Sequence, residues 1–374
     1  MKLEFLRFQW STSAAKQLHS KSRTTLALVR KSLPDIPSIN LNEWRAAISQ
    51  RRSWQKRLLA SQDALLKRYV RSRFRQKLVQ TGSASLNTIE ILPAEPDNEI
   101  PIVLTHGYGS GSGFWSMTLD ELSDHGRRHV IAVDWNGMGA SGRNPFSAGE
   151  AYFIEPLEEW RRMMGLKKMV LVGHSYGGLL SAAYAIKYPE AVANLILVSP
   201  AGLLPVPASS QTPVAATLGR RLVASGWANN ITPQAIIRAA GPWGYRLTEQ
   251  AVRARFRHLN AGDIRLITNY LYEISAAPPG GEKSLKTLLV LTKDHHGVFA
   301  RNPIGSRLLQ DLPDSIPITI MFGDRDWMFN NAIPELSLIR SGRARLVTIE
   351  RSGHHLYMEN IRRFVEAVNE AAKP

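Results

Sequence analysis

The stretch from Met169 to Ile186 constrains this chain more than any other. Met169-Val170-Leu171-Val172 is an apolar run, Gly173-His174-Ser175-Tyr176-Gly177 follows it, and the residues from Gly178 to Ile186 are small and apolar. The run reads as a buried strand, and the segment after it suits a helix laid on a sheet. Between the two stands only Gly-x-Ser-x-Gly, so the chain must turn sharply there. Such a turn holds the serine in strained backbone and lifts its hydroxyl to the sheet edge. Gly173 and Gly177 let strand and helix approach without side-chain clashes. The helix N-terminus beneath the hydroxyl favours developing negative charge. The pentapeptide alone recurs by chance; the strand and helix around it give it meaning. Ser175 is thus a candidate nucleophile.

A serine hydroxyl is a weak nucleophile and needs a base, and the base needs an orienting acid. Both occur downstream, each after an apolar run. Ile318–Phe322 leads into Gly323-Asp324-Arg325-Asp326-Trp327, and Ala344–Ile349 is followed by Ser352-Gly353-His354-His355. Asp326, fourth in its turn, is the expected acid, with Asp324 shaping the turn. His354, directly after Gly353, is the expected base, with His355 left to packing or to a lid. Loops at strand ends are where sites form in parallel α/β sheets.

A glycine-rich loop completes the set. Ile102–Thr105 runs into His106-Gly107-Tyr108-Gly109-Ser110-Gly111-Ser112-Gly113. Glycine here lets main chain approach a tetrahedral oxyanion, with the amides of Tyr108 and Tyr176 as the expected donors and His106 and Gly107 in support. A phosphate-binding loop is the rival reading. The stretch does not open a helix as G-x-G-x-x-G, and no Lys-Ser/Thr follows.

Strands alternating with helices predict an α/β fold with a mostly parallel central sheet. The rhythm breaks between about Leu203 and Asp314, where helical stretches are punctuated by Pro and Gly. The expected organisation is a core over 41–202 and 315–374, with a helical cap inserted at 203–314. Residues 41–80 read as helical, from an apolar stripe including Trp44, Leu58, Leu65 and Leu66 with a basic flank. That stripe fits a helix on an anionic membrane or one packed on the domain. Residues 84–92 read as the opening strand.

Charge is concentrated at the front. Residues 1–90 hold 18 Lys/Arg against 5 Asp/Glu, a net of +13 within a total of +16. Residues 1–40 are poor in acids, rich in Ser and Thr, and carry a short apolar face at Leu3, Phe5, Leu6, Phe8 and Trp10. That is the character of a mitochondrial transit peptide; a basic arm that stays attached is the alternative. No nucleic-acid motif accompanies the charge, so nucleic acid is not an expected partner. The chain has no cysteine, which excludes disulfides and thiol catalysis. Asp294-His295-His296 lacks the spacing of a metal site. Neither metal nor cofactor is expected.

From about Trp44 to the end, the chain resembles a particular α/β-hydrolase family. It includes fungal mitochondrial cardiolipin-specific deacylases, plant lysophosphatidate acyltransferase/phospholipases, animal N-acyl-phospholipid lipases and an animal lipase co-activator that lacks the nucleophile. The resemblance rests on His106-Gly107-Tyr108-Gly109 with Gly113-Phe114-Trp115, on Asp134-Trp135-Asn136-Gly137-Met138-Gly139-Ala140-Ser141, and on Gly173-His174-Ser175-Tyr176-Gly177-Gly178. Ala240-Gly241-Pro242-Trp243-Gly244, Asn269-Tyr270-Leu271-Tyr272 and Ala300-Arg301-Asn302-Pro303-Ile304 extend it into the cap, and Gly323–Met328 with Gly353–Tyr357 complete it. It implies a serine acylhydrolase with an α/β-hydrolase fold, acting on phospholipid, foremost cardiolipin, at an anionic mitochondrial membrane. Acyl transfer to a lysophospholipid, or a lipid-surface regulatory role with a vestigial site, are the alternatives it carries. The family pattern His-x4-Asp reads His354-x4-Glu359 here, one methylene longer. Unlike in the co-activator, the serine is present.

Overall fold

In a computed structural model, the described residues are 53–93, 95, 99–147, 149–206, 225–290 and 299–373. The expected transit peptide, Trp44 and Asp294-His295-His296 lie outside them.

Eight strands form one sheet in the order β1-β2-β4-β3-β5-β6-β9-β10. They are β1 (Phe74–Gln80), β2 (Ser85–Ile91), β3 (Ile102–Thr105), β4 (Val130–Val133), β5 (Met169–His174), β6 (Val192–Val198), β9 (Ile318–Gly323) and β10 (Ala344–Ile349). A separate two-stranded ribbon joins β7 (Leu289–Val290) to β8 (Phe299–Ala300). β2 alone runs against the direction of the other seven strands of the large sheet. The four-residue runs at β3 and β4 and the longer one at β5 are buried on both faces, as continuous apolar strands require.

Side-chain alternation splits the core in two. Val103, Ile131, Leu171, Leu195, Leu197 and Ile320 point to one face, where they meet the helices Ala151–Met163, Tyr176–Lys187 and Ile304–Asp311. Leu104, Ala132, Val172, Ile196, Val198 and Met321 point to the other, beneath Trp115 and the helices Trp54–Tyr69 and Ile361–Ala371. Each strand therefore contributes to both cores, as a period of two dictates.

The reading of 41–80 as helical is corrected. A helix covers Trp54–Tyr69, but Phe74–Gln80 is a strand pairing antiparallel with Ser85–Ile91. The sheet therefore opens one strand earlier than expected. The basic residues Arg73, Arg75 and Lys77 alternate with Phe74, Gln76 and Leu78, a period of two that the surrounding positive charge obscures. The structure also decides what the apolar stripe does. Leu58, Gln62, Leu65 and Leu66 recur at helical spacing and are buried. The basic flank reaches the cap: Arg57 pairs with Glu273 at 3.1 Å and Arg68 with Asp263 at 3.0 Å. This face is committed to packing, so the membrane reading of this helix falls.

Within 203–314, the helices Pro233–Ala239, Gly244–Arg255 and Ala261–Ala276 pack on one another. The helix Ile304–Asp311 instead packs on Tyr176–Lys187 and belongs to the layer flanking the sheet. Among the described residues no helix is long and apolar enough to cross a membrane.

Candidate active site

Ser175 sits between β5 and the helix Tyr176–Lys187, with φ 55° and ψ −118°. The turn is pinned on both sides. The Ser175 amide donates to the Val198 carbonyl at 2.8 Å, and the Ser175 carbonyl accepts from the amides of Gly178 (2.9 Å) and Ala201 (3.0 Å). Positive φ at a non-glycine residue costs on the order of 1–3 kcal/mol and persists only where surroundings enforce it. The two flanking glycines are required by contact. A Cβ at Gly173 would lie 2.6 Å from the Gly177 carbonyl oxygen, and one at Gly177 would collide with the His106 carbonyl.

The remaining candidates converge on the same edge. β5, β6, β9 and β10 are adjacent and parallel, so the loops after β5, β9 and β10 emerge together. His354 Nε2 lies 3.0 Å from Ser175 Oγ, and its Nδ1 lies 3.1 Å from Asp326 Oδ1. An ionised carboxylate only accepts, so Nδ1 carries the proton and Nε2 is left to accept from the serine hydroxyl. Burial alone would push the Asp326 carboxyl up. The hydrogen bond and charge of His354, together with the Met328 amide at 2.9 Å, outweigh that and hold it below the ordinary carboxylate range. Such a line can draw the proton from Ser175 as its oxygen attacks an electrophile.

The two neighbouring candidates take other tasks. Asp324 Oδ1 accepts from the Ser352 amide at 2.9 Å and so ties the acid loop to the base loop. His355 is buried among Phe114, Phe256 and Tyr357. The oxyanion loop lies where expected: a Cβ at Gly107 would come within 3.0 Å of Ser175 Cβ. His106 is buried behind it. Its Nε2 accepts from the Trp135 amide at 3.3 Å, so its protonated Nδ1 donates to the Gly107 carbonyl at 2.8 Å. The phenols of Tyr108 and Tyr176 are anchored in the cap segment. The one hydroxyl proton of Tyr108 is shared between Gln234 (3.0 Å) and the Glu282 carbonyl (3.1 Å), and Tyr176 shares a hydrogen bond of 2.5 Å with Ser284.

Three supporting roles escaped sequence reasoning. His174 Nε2 donates to the His354 carbonyl at 2.9 Å, steadying the base from behind. Glu359 Oε2 accepts from the Gly353 amide at 2.8 Å, fixing the turn that presents His354. A buried polar cluster backs the glycine-rich loop. Asp134 accepts from the amides of Ser112 (2.5 Å) and Ala140 (2.7 Å) and from Asn87 (2.8 Å), while the Tyr270 hydroxyl donates to Gln62 (3.1 Å) and accepts from the Gly113 amide (3.0 Å). The His-x4-Glu spacing was visible in sequence; its turn-holding task was not.

Glu359→Ala is expected to lower kcat by up to about 10²-fold, the scale of an ångström's misplacement of a catalytic group. Its KM should change little. Steady-state kinetics on a soluble ester checks this, and an unchanged kcat would remove Glu359 from the positioning of His354.

Buried imidazoles set an acid limit on stability. Loss of water is the leading cause that lowers the pKa of His106, His174 and His355. Repulsion from His354 adds to it at His174, and Arg255 adds to it at His355, whereas Asp134 opposes it at His106. An unfolded chain takes up these protons near pH 6.5, before the folded one does. Stability is then intact above about pH 6.5 and declines as pH falls, by about 1.4 kcal/mol per unit for each group between its two pKa values. Urea midpoints should drop between pH 7 and pH 5; equal midpoints would contradict the assignment.

A family model for the alpha/beta hydrolase fold matches residues 100–361. The chain belongs to the α/β-hydrolase family. Within it, this hydrolase is 35% identical over 292 residues to a probable 1-acylglycerol-3-phosphate O-acyltransferase of Oryza sativa subsp. japonica, spanning 74% of this chain and 68% of that one. It is 34% identical over 290 residues to a (lyso)-N-acylphosphatidylethanolamine lipase of Bos taurus, spanning 76% and 82%. The crystal structure of carboxylesterase CesB from Bacillus subtilis shares the fold at a TM-score of 0.59 and 15% identity, over 85% of this chain and 98% of that one.

Proposed function

We propose that this α/β hydrolase is a serine acylhydrolase that removes a fatty acyl chain from a phospholipid, with cardiolipin the leading substrate. The hydrogen-bonded line Ser175–His354–Asp326 carries the reading. Ser175 Oγ attacks the ester carbonyl while His354 Nε2 takes its proton. The amides of Tyr108 and Tyr176 hold the oxyanion. His354 then protonates the leaving lysophospholipid, and Asp326 steadies the imidazolium. Water, deprotonated by His354, releases the fatty acid from Ser175.

Phospholipid as the substrate class is supported by the names of the rice and bovine relatives. Cardiolipin and a mitochondrial membrane are supported by the basic front end and by the family resemblance of the motifs. The test is lipid mass spectrometry of vesicles containing cardiolipin and other mitochondrial lipids. Loss of cardiolipin with matching monolysocardiolipin, in wild type and not in Ser175→Ala, is expected. Intact cardiolipin beside another deacylated lipid would overturn the substrate.

Acyl transfer is the second reading, favoured by the acyltransferase name of the rice relative. Here a lysophospholipid hydroxyl replaces water at the acyl-enzyme. Phosphatidate formed from lysophosphatidate and acyl-CoA would establish it.

A further inference from the structure

Arg255 ends the helix Gly244–Arg255, and its Nε donates to His355 Nδ1 at 3.3 Å. Among the described residues it forms no ion pair. The residue as a whole is exposed, yet its guanidinium reaches a buried ring, and lost water pulls its pKa down. A cavity of about 430 Å³ opens in front of it, lined by Arg255, Arg325, Trp327, His354, His355 and Glu359. The one carboxylate in this wall, Glu359, is engaged by the Gly353 amide. Arg325, on the same wall, is largely exposed and has Asp324 3.6 Å away. Arg255 is thus aimed by a neutral acceptor into a cavity where Glu359 and Asp326 act on it only from beyond ion-pair distance. A guanidinium so placed is suited to an anion from outside.

The chemistry says which anion. His354 lines this cavity, and its Nε2 is the atom that returns a proton to the leaving oxygen. The leaving oxygen must reach this imidazole, so the cavity beside the ring is placed to receive the rest of the leaving group. In a glycerophospholipid that oxygen belongs to glycerol, and the phosphodiester hangs from a carbon one or two positions away. The phosphate then falls in the space next to His354.

We propose that this cavity is the headgroup subsite and that Arg255, held in place by His355, binds the substrate's phosphate. The inference rests on the phospholipid reading above and names the residue that separates a phosphodiester from a neutral glyceride.

The experiment compares wild type, Arg255→Gln and Arg255→Lys on phosphatidylglycerol and on diacylglycerol with the same acyl chains, in mixed micelles. For Arg255→Gln, kcat/KM on phosphatidylglycerol should fall at least tenfold, through KM. The loss on diacylglycerol should be much smaller, and the activity on it reports that the variant is folded. Arg255→Lys should recover part of the loss. Equal losses on both lipids, or none on either, overturn the subsite. Failure of the underlying reading looks different: wild type then cleaves diacylglycerol and leaves phosphatidylglycerol intact, which overturns both.

Discussion

Alanine at position 175 is expected to lower kcat for fatty acid release by on the order of 10⁶-fold, the loss seen when a nucleophile of this kind is removed. Among the described residues no other hydroxyl is hydrogen-bonded to His354 Nε2, which lies 3.0 Å from Ser175 Oγ. The fold should not notice. Alanine at φ 55° is as strained as serine, and the turn is held by main-chain bonds to Val198, Gly178 and Ala201. The thermal midpoint of Ser175→Ala should therefore match wild type, and a fluorophosphonate probe should label wild type only. Fatty acid release from vesicles gives the rate. A variant keeping more than about one per cent of wild-type activity would point to another nucleophile or to no covalent step.

The second large effect separates two aspartates. Asp326→Asn should cost about 10⁴-fold in kcat. The new amide nitrogen would donate to His354 Nδ1 and drive the imidazole proton to Nε2, where it blocks acceptance from Ser175. Asp324→Asn should cost less than about tenfold, since the retained carbonyl oxygen can still accept from Ser352. Parallel kinetics on the two variants decides the acid. If Asp324→Asn gave the greater loss, the observed contact between Asp326 and His354 would not be the working one.

What was legible in the sequence follows from how local each signal is. The strand and helix around Ser175 lie within eighteen residues, and the pattern needs only short-range geometry to be read. Asp326 and His354 are legible because each lies in the loop after an apolar run, so their convergence follows from parallel strands. The alternation of Phe74–Gln80 is obscured by the surrounding positive charge and also by Gln76, a polar residue on the face of Phe74 and Leu78 that accepts from Gln62 at 2.6 Å. That partner is on another element, and no local pattern announces it. The cluster of Gln62, Asn87, Ser112, Asp134 and Tyr270 is illegible for the same reason. Its members come from five separate places in the chain and acquire a purpose only when folded together. Glu359 was noticed for its spacing, yet its partner is a backbone amide, which no side-chain motif can reveal.

The anchoring of Tyr108 and Tyr176 by Gln234, Glu282 and Ser284 bears on how new specificities could be built here. A roof that also braces the floor cannot be exchanged as a free module. Grafting residues 225–290 from a relative would replace the cap helices and, in the same stroke, unfasten both tyrosines. A chimaera that keeps its turnover must therefore carry the matching partners at positions 108 and 176, and at Gln62 for the Tyr270 hydroxyl. Diversification in this scaffold is a matter of co-inheritance between distant segments.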